Sequence, residues 1–311
     1  MKKIVLLIIS SILLIYTLPT GNCMAYNITY LYVDKLLAYP TIALDDKNPN
    51  LDINDANHLT PKEFELMLQQ LYDNNYVLIT SPDTNWPKDK KPLVLVLGGF
   101  NYTSTPKSSG YIDKLIIDNK GNISTYTSKR SINERISSDN ETIPLLETFI
   151  AAHPTFSHNN ARATLAISND DGLFGYKTAK NNANSRYDIK HAQKIAIRLK
   201  NLGYTFAYAS LNNADTDSDI DFATSINTFI THTSKICGPT NIYITNTKLN
   251  SEYKTNLLKD NQFDIIWSLD NSYTNILTIS GNTLRTDNRL LSIIDPIAIY
   301  DDIRPKKYYN T

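Results

Sequence analysis

The sequence predicts an α/β domain organised around a parallel sheet, and two observations support this prediction. The first is Leu93–Leu97, a continuous run of leucine and valine between Pro92 and the pair Gly98-Gly99. Such runs are typical of strands buried on both faces. The second is the alternation of helical apolar patterns with short apolar runs along the chain. In parallel α/β folds, functional groups gather in loops at the carboxyl ends of strands. The loop that begins with Gly98-Gly99 is therefore the first place to look for a site.

Local signals place the other elements in order. The best-marked helix begins at Pro61, because Thr60 can cap it and Glu63 can complete a capping box. Asp118–Gly121 has the composition of a turn and predicts a hairpin between two short strands. The remaining predicted strands are Tyr26–Tyr32, the end of Tyr72–Ile79, Ala163–Ile167, Tyr204–Tyr208, the end of Gly238–Ile244 and Phe263–Trp267, and the remaining helices are Pro144–Ala152, Asp188–Leu202 and Asp219–Ser234.

The N-terminal segment has the form of a signal peptide. Lys2-Lys3 precedes the apolar stretch Ile4–Pro19, and Ala25 offers a small residue for cleavage. We therefore expect a secreted or cell-surface protein, with an uncleaved N-terminal anchor as the alternative and the only route to a membrane. After cleavage Cys237 is the one cysteine left, so no intrachain disulfide is expected.

Length and charge narrow the classes of protein further. The 311 residues suit one large α/β domain or two small ones, and we interpret 26–311 as a single domain after the leader at 1–25. Lysine and arginine number 31, and so do aspartate and glutamate, which gives a net charge of +0. A neutral chain offers no electrostatic reason to expect nucleic acid as a partner.

Several stretches together resemble one enzyme family. After the glycine loop the chain reads Asn101-Tyr102 and then Gly110–Leu115, Gly-Tyr-Ile-Asp-Lys-Leu. With the capped helix, these stretches resemble the NodB-homology domain of polysaccharide deacetylases, carbohydrate esterase family 4. The resemblance extends over Tyr26–Tyr308 and implies an irregular (β/α) barrel of the glycoside hydrolase–deacetylase type. The family's strand ends in Phe-Asp-Asp, whereas this chain has Leu97-Gly98-Gly99.

The resemblance also implies a metal site whose ligands this chain lacks. Family members hold a divalent metal with one aspartate and two histidines, and a second aspartate acts as base. The aspartate positions correspond to Gly98 and Gly99, and the histidine positions fall on Ala209 and Asn213. Glycine and alanine offer no donor, and an amide is a poor substitute for imidazole. We therefore expect no catalysis and no cofactor at these four positions.

Two acidic segments leave an enzyme alternative open. Asp170 and Asp171 follow a predicted strand and imitate the missing motif, although a surface turn is the preferred interpretation. Asp215 and Asp217 begin like a calcium loop but lack its glycine and glutamate, so helix capping is preferred there. If a relocated site exists in either segment, it would need zinc or another divalent metal. The protein would then be an active deacetylase of N-acetyl sugars.

The preferred hypothesis is a secreted, catalytically inactive deacetylase-like protein that binds extracellular or cell-wall polysaccharide or has a role in cell-wall or surface assembly. A structural surface or coat protein without glycan contact is the remaining alternative. Tyr102, Tyr111, Tyr176 and Trp267 lie near predicted loops and are candidates for stacking on sugar rings, although core packing explains such aromatics at least as often. The candidate residues of the vestigial groove are Asn101, Tyr102, Tyr111, Tyr208, Asn246, Arg285 and Asp287.

Overall fold

The structure is a computed structural model with a mixed α/β fold. It describes residues 28–51, 58–80, 85–102, 109–128, 130–168, 172–179, 185–211, 218–245, 249, 251–268, 276–279 and 282–286. The strands are β1 (Thr29–Val33), β2 (Tyr76–Leu78), β3 (Lys91–Leu97), β4 (Lys114–Ile117), β5 (Ile123–Tyr126), β6 (Ile136–Ser137), β7 (Thr164–Ile167), β8 (Thr205–Ser210), β9 (Ile242–Thr245), β10 (Ile265–Ser268), β11 (Ile276–Ile279) and β12 (Asn282–Thr286).

Most strands belong to one parallel sheet. Within the described residues this sheet has nine strands in the order β10-β9-β8-β7-β3-β1-β12-β11, with β2 beside the start of β3. All neighbours pair in parallel except the antiparallel pair β11 and β12. The strand β3 contains the apolar run that the sequence singled out, and Leu93–Leu97 is fully buried at its centre. The predicted α/β class is therefore confirmed.

The sheet is curled into a half-barrel. Alternate residues of each strand point to opposite faces, and one face forms a cluster of strand side chains that includes Val94, Val96 and Ala207. Within that cluster the ring of Tyr30 on β1 lies 5.7 Å from the ring of Trp267 on β10, edge to face. Four strands separate β1 from β10 in the sheet, so this contact spans the inside of the curl.

Helices cover the outer face of the curled sheet. They are α1 (Pro40–Ala43), α2 (Pro61–Asp73), α3 (Thr142–Ala152), α4 (Ser185–Leu202), α5 (Asp219–Thr228), α6 (Ser234–Cys237) and α7 (Glu252–Asp260). The main core joins their apolar faces to outward side chains of the strands, for example Phe64 and Ala192 with Leu95 and Phe206. The helix bounds predicted from sequence agree with α2, α3 and α4 to within a few residues.

One predicted helix differs in form. The segment predicted as Asp219–Ser234 begins at Asp219, but Phe229–Thr233 forms a wider π turn before α6 continues to Cys237. Two threonine side chains form hydrogen bonds with the backbone around this turn. The hydroxyl groups of Thr228 and Thr231 each donate to the carbonyl oxygen four residues earlier. Such back-bonding competes with the helical ladder and favours local widening. Sequence periodicity alone does not distinguish this arrangement from a regular helix.

A small antiparallel sheet flanks the half-barrel, with its strands in the order β4-β5-β6. The hairpin predicted at Asp118–Gly121 connects β4 to β5, with Gly121 at φ +82°. Asp118 accepts hydrogen bonds from the backbone N–H groups of Lys120 and Asn122, both at 2.8 Å. The turn is thus formed by the residues that predicted it.

Candidate functional site

A cavity of about 410 Å³ opens at the carboxyl ends of β1, β3, β7 and β8. This is the edge of a parallel sheet at which ligands bind in open α/β folds and barrels. Its wall includes Asp34 and Lys35 after β1, Gly99 and Asn101 after β3, Ser168 after β7, Ser210 at the end of β8, and Ser225 of α5. Among the described wall residues, Asp34 supplies the one carboxylate and Lys35 the one ammonium. The other polar groups are amides and hydroxyls, which suit a ligand rich in hydroxyl groups.

Gly98 is packed against Tyr32 of the neighbouring strand. A Cβ atom added at Gly98 would lie 1.9 Å from the Tyr32 hydroxyl oxygen, far inside any permitted contact. The backbone N–H of Gly98 also donates to the carbonyl of Val33 at 2.9 Å, which holds the loop against β1. A side chain at position 98 would therefore have to displace the Tyr32 ring, which is only 8% exposed.

Gly99 leaves room for Asp34. Its φ of +72° is a conformation that L side chains rarely adopt. A Cβ atom added at Gly99 would lie 1.8 Å from Oδ1 of Asp34 and 2.7 Å from the backbone nitrogen of Lys35. The carboxylate at this point of the wall therefore comes from the loop after β1, and it lies where a side chain at position 99 would begin.

The two side chains that fill this space lie close to each other. The Tyr32 hydroxyl is buried and lies against the Asp34 carboxylate, which is its hydrogen-bond partner. Burial, with the adjacent Asp34 carboxylate as a second cause, raises the pKa of Tyr32 well above its usual value. Asp34 itself accepts a hydrogen bond from the backbone N–H of Lys35 at 2.7 Å.

Glu141 holds together the two loops that supply much of the cavity wall. It is fully buried at the start of α3, where it accepts hydrogen bonds from the N–H groups of Thr142 at 2.7 Å and Leu36 at 3.2 Å. Its other oxygen accepts from the Tyr102 hydroxyl at 3.0 Å. Burial raises the pKa of Glu141 to about 7, against the opposing effect of these hydrogen bonds. Leu36 lies two residues after Asp34, and Tyr102 comes directly after Asn101. Glu141 therefore connects the loop after β1 to the loop after β3.

A functional or structural role of Glu141 is only weakly indicated by the sequence. Its position immediately before the helix is one at which Ser, Thr, Asp and Asn are preferred over Glu. Because glutamate is unusual at this position, its presence before an apolar helix makes it a candidate for a structural or functional role. Its partners Leu36 and Tyr102 are distant in the chain, at separations of 105 and 39 residues, so the sequence could not reveal them.

The four aromatic candidates for stacking on sugar rings lie in the interior, in agreement with the alternative interpretation of core packing. Tyr102, Tyr111, Tyr176 and Trp267 are all between 3% and 6% exposed. The Tyr111 hydroxyl is hydrogen-bonded to His58, Tyr176 stacks on His191, and Trp267 packs against Tyr30 inside the curl. Each ring is more stable in the apolar interior than at a wet rim, because burial removes a large apolar area from water.

Four of the predicted groove and motif residues do lie together in the wall. Gly99, Asn101 and Ala209 line the same cavity, and Gly98 contacts its wall through Tyr32. Tyr208 also lines it, but its ring stacks on Phe229 at 4.2 Å between centroids and its hydroxyl bonds to Ser225.

Other predicted positions are placed less fully. Arg285 belongs to β12, in register with Leu31 of β1. The remaining predicted positions, Asn213, Asn246, Asp287, Asp170, Asp171, Asp215 and Asp217, lie outside the described residues.

The described side chains do not fit the metal that the resemblance implies. Gly98, Gly99 and Ala209 have no donor atoms, and among the described wall residues Asp34 is the single group of a type that divalent metals favour. More generally, within the described part of the chain no three His, Cys, Asp or Glu side chains are arranged to hold a metal ion. The described wall residues therefore offer hydrogen-bonding groups and charges rather than a set of metal ligands.

Comparison of the chain with protein-family models, with curated proteins and with solved structures found no match. Among the helices of the described residues, none is long and apolar enough to cross a membrane. The fold and the cavity wall are accordingly the basis for inferring a function.

Proposed function

We propose that this protein is a degenerate member of the polysaccharide deacetylase superfamily that binds an extracellular or cell-wall polysaccharide without hydrolysing it. The observation that supports this most directly is the composition of the cavity at the carboxyl edge of the half-barrel. Hydroxyl, amide and carboxylate groups line it, and glycine and alanine stand at the motif positions that would hold a metal. The half-barrel agrees with an irregular (β/α) barrel of the NodB-homology type, and the signal-like N-terminus is consistent with export.

The binding proposal can be tested by filling the cavity. Ser210 lies at the end of β8 and lines the cavity, so Ser210→Phe is expected to place a ring inside it and to weaken polysaccharide binding by more than about tenfold. Binding is measured by isothermal titration calorimetry with soluble fragments of cell-wall polysaccharide. Asn241→Phe is the matched control, because Asn241 is exposed and precedes β9 at the opposite edge of the sheet. If the parent protein binds no polysaccharide, or both variants bind equally well, the proposed site is wrong.

A second candidate function is a deacetylase with a relocated metal site. One observation favours it: Ser168 and Gly172, which flank the segment of Asp170 and Asp171, both line the cavity. A carboxylate pair in that segment would supply ligands that the motif positions lack, with zinc or another divalent cation as the metal.

Metal analysis separates the two candidates. On the binding proposal, purified protein is expected to contain less than about a tenth of an equivalent of zinc and to release no acetate from N-acetylated glycans above background. Inductively coupled plasma mass spectrometry and an acetate assay give the measurements. One equivalent of metal that disappears in Asp170→Asn or Asp215→Asn, with Asp264→Asn as an exposed control, would establish the relocated-site enzyme instead.

A further inference from the structure

The Asp34 carboxylate receives its hydrogen bonds from neutral groups among the described residues. Of its two oxygens, Oδ1 accepts from the backbone N–H of Lys35. Neither Asp34 nor Lys35 forms an ion pair within 4.0 Å with any described residue. The Tyr32 hydroxyl lies against the same carboxylate as a second, neutral donor. The carboxylate is thus half-buried in the cavity wall, and the described residues offer it neutral donors and no ion pair.

Lys35 does not neutralise Asp34, because its ammonium group is directed elsewhere. The Lys35 Nζ atom lies 4.9 Å from the centre of the Tyr111 ring, in a cation–π contact. Tyr111 in turn is hydrogen-bonded to His58 through its hydroxyl. This arrangement holds the lysine at the side of the cavity.

The conformation of Asp34 is fixed before any ligand arrives. The space it occupies exists because residue 99 is glycine at φ +72°. Glu141 accepts from the N–H of Leu36, two residues after Asp34, and so anchors the same loop. A carboxylate held in place by its own backbone loses little freedom on binding, which favours selective recognition.

We propose that the cavity selects a saccharide with a protonated amino group, and that Asp34 is the residue that receives the amine. This inference rests on the proposed function, since it assigns a charge to the saccharide bound in the same cavity. A protonated amine donates charge-assisted hydrogen bonds to the carboxylate, which are about twice as strong as neutral ones. An N-acetylated sugar presents a neutral amide at that position and leaves the carboxylate without a charged partner.

The test uses three β-linked oligosaccharides of equal length, made of glucosamine, N-acetylglucosamine or glucose. With the purified parent protein, calorimetry is expected to give roughly tenfold tighter binding of the glucosamine oligomer than of the other two. Added salt should reduce the preference, because Asp34 is only half-buried and its charge is screened. In Asp34→Asn the preference is expected to disappear, and in the exposed control Asp264→Asn it should persist.

The possible outcomes distinguish this inference from the function on which it rests. Binding of none of the three oligomers would overturn both. Equal binding of all three by the parent protein, or a preference for the N-acetylated oligomer, would leave polysaccharide binding in place and overturn the amine selectivity. A preference that survives in Asp34→Asn would assign the selectivity to another residue. Thermal melts check that each variant is folded, and the comparison of oligomers on the parent protein needs no variant at all.

Discussion

Replacing Glu141 by alanine is expected to lower the free energy of unfolding by about 3 to 5 kcal/mol. The carboxylate accepts from Leu36, Thr142 and Tyr102, and all these groups are buried. Alanine would leave three donors without partners, and each buried orphan costs about 1 to 3 kcal/mol. Urea denaturation followed by circular dichroism measures the change. Glu134→Ala is the control, because Glu134 is exposed and its removal should change the stability by less than about 0.5 kcal/mol.

Glu141→Gln separates the hydrogen bonds from the charge. The amide oxygen can accept from Leu36 and Thr142, and the amide nitrogen can donate to the Tyr102 hydroxyl, which can also act as an acceptor. We therefore expect this variant to be close to the parent in stability at low pH. If Glu141→Ala is also as stable as the parent, the loops after β1 and β3 are held together by other contacts.

The pH dependence of stability follows from the same residue. The pKa of Glu141 is about 7 in the folded protein, against 4.5 for an ordinary glutamate. Between about pH 4.5 and pH 7, the Glu141 carboxyl therefore keeps its proton in the folded protein but loses it in the unfolded chain. The stabilisation is complete below about pH 4.5 and is lost as the pH rises through about 7, at up to ~1.4 kcal/mol per pH unit.

Glu141→Gln removes this dependence while leaving its ionisable surroundings in place. The ionisable groups near Glu141 are Tyr102, Tyr111, Asp34 and Lys35. Burial raises the pKa of both tyrosines. The difference in unfolding free energy between parent and Glu141→Gln across the window thus isolates the Glu141 contribution. A parent protein whose stability relative to Glu141→Gln does not change with pH would show that Glu141 titrates as an exposed carboxyl.

Local signals in the sequence predicted local structure well. The Thr60–Glu63 capping box is present, with Glu63 accepting from the Thr60 N–H at 2.7 Å and Thr60 accepting from the Glu63 N–H at 3.2 Å. The strand β3 ends at Leu97, immediately before the glycine pair. These features depend on residues a few positions apart, so the chemistry of capping and the alternation of faces suffice to predict them.

The cavity wall depends on contacts that the sequence does not encode locally. Nothing near Asp34 indicates that its carboxylate lies against Gly99, because that contact arises only when β1 and β3 pair in register. Similarly, an aromatic residue such as Tyr102 or Trp267 can face a groove or the core, and composition does not distinguish the two. Only the curl of the sheet decides which face is enclosed.

Introducing carboxylates at the glycine pair, as Gly98→Asp with Gly99→Asp, is expected to destabilise the fold by more than about 3 kcal/mol without producing deacetylase activity. The Gly98 side chain would overlap Tyr32, and overpacking of a core typically costs ~1 to 3 kcal/mol. The Gly99 side chain would overlap Asp34 at a positive φ, which adds ~1 to 2 kcal/mol of backbone strain. The measurements are the urea midpoint and acetate release with zinc supplied.

A matched control separates strain from overlap. Gly121 has φ +82°, and a Cβ atom there would meet nothing within 4 Å. Gly121→Asp therefore incurs the backbone strain alone, and it should lose only ~1 to 2 kcal/mol. If the double variant loses no more stability than Gly121→Asp, Tyr32 and Asp34 can move aside, and the glycines are not needed to keep them in place.

A compensating substitution tests the specific contact. In the background of Tyr32→Ala, the hydroxyl and ring that block position 98 are gone, so Gly98→Ala should become nearly neutral instead of destabilising. The expected coupling between positions 32 and 98 is ~1 to 3 kcal/mol in a double-mutant cycle. Additive effects would contradict the packing of Tyr32 on Gly98. Measurable coupling would instead show that Gly98 is needed for the packing of Tyr32.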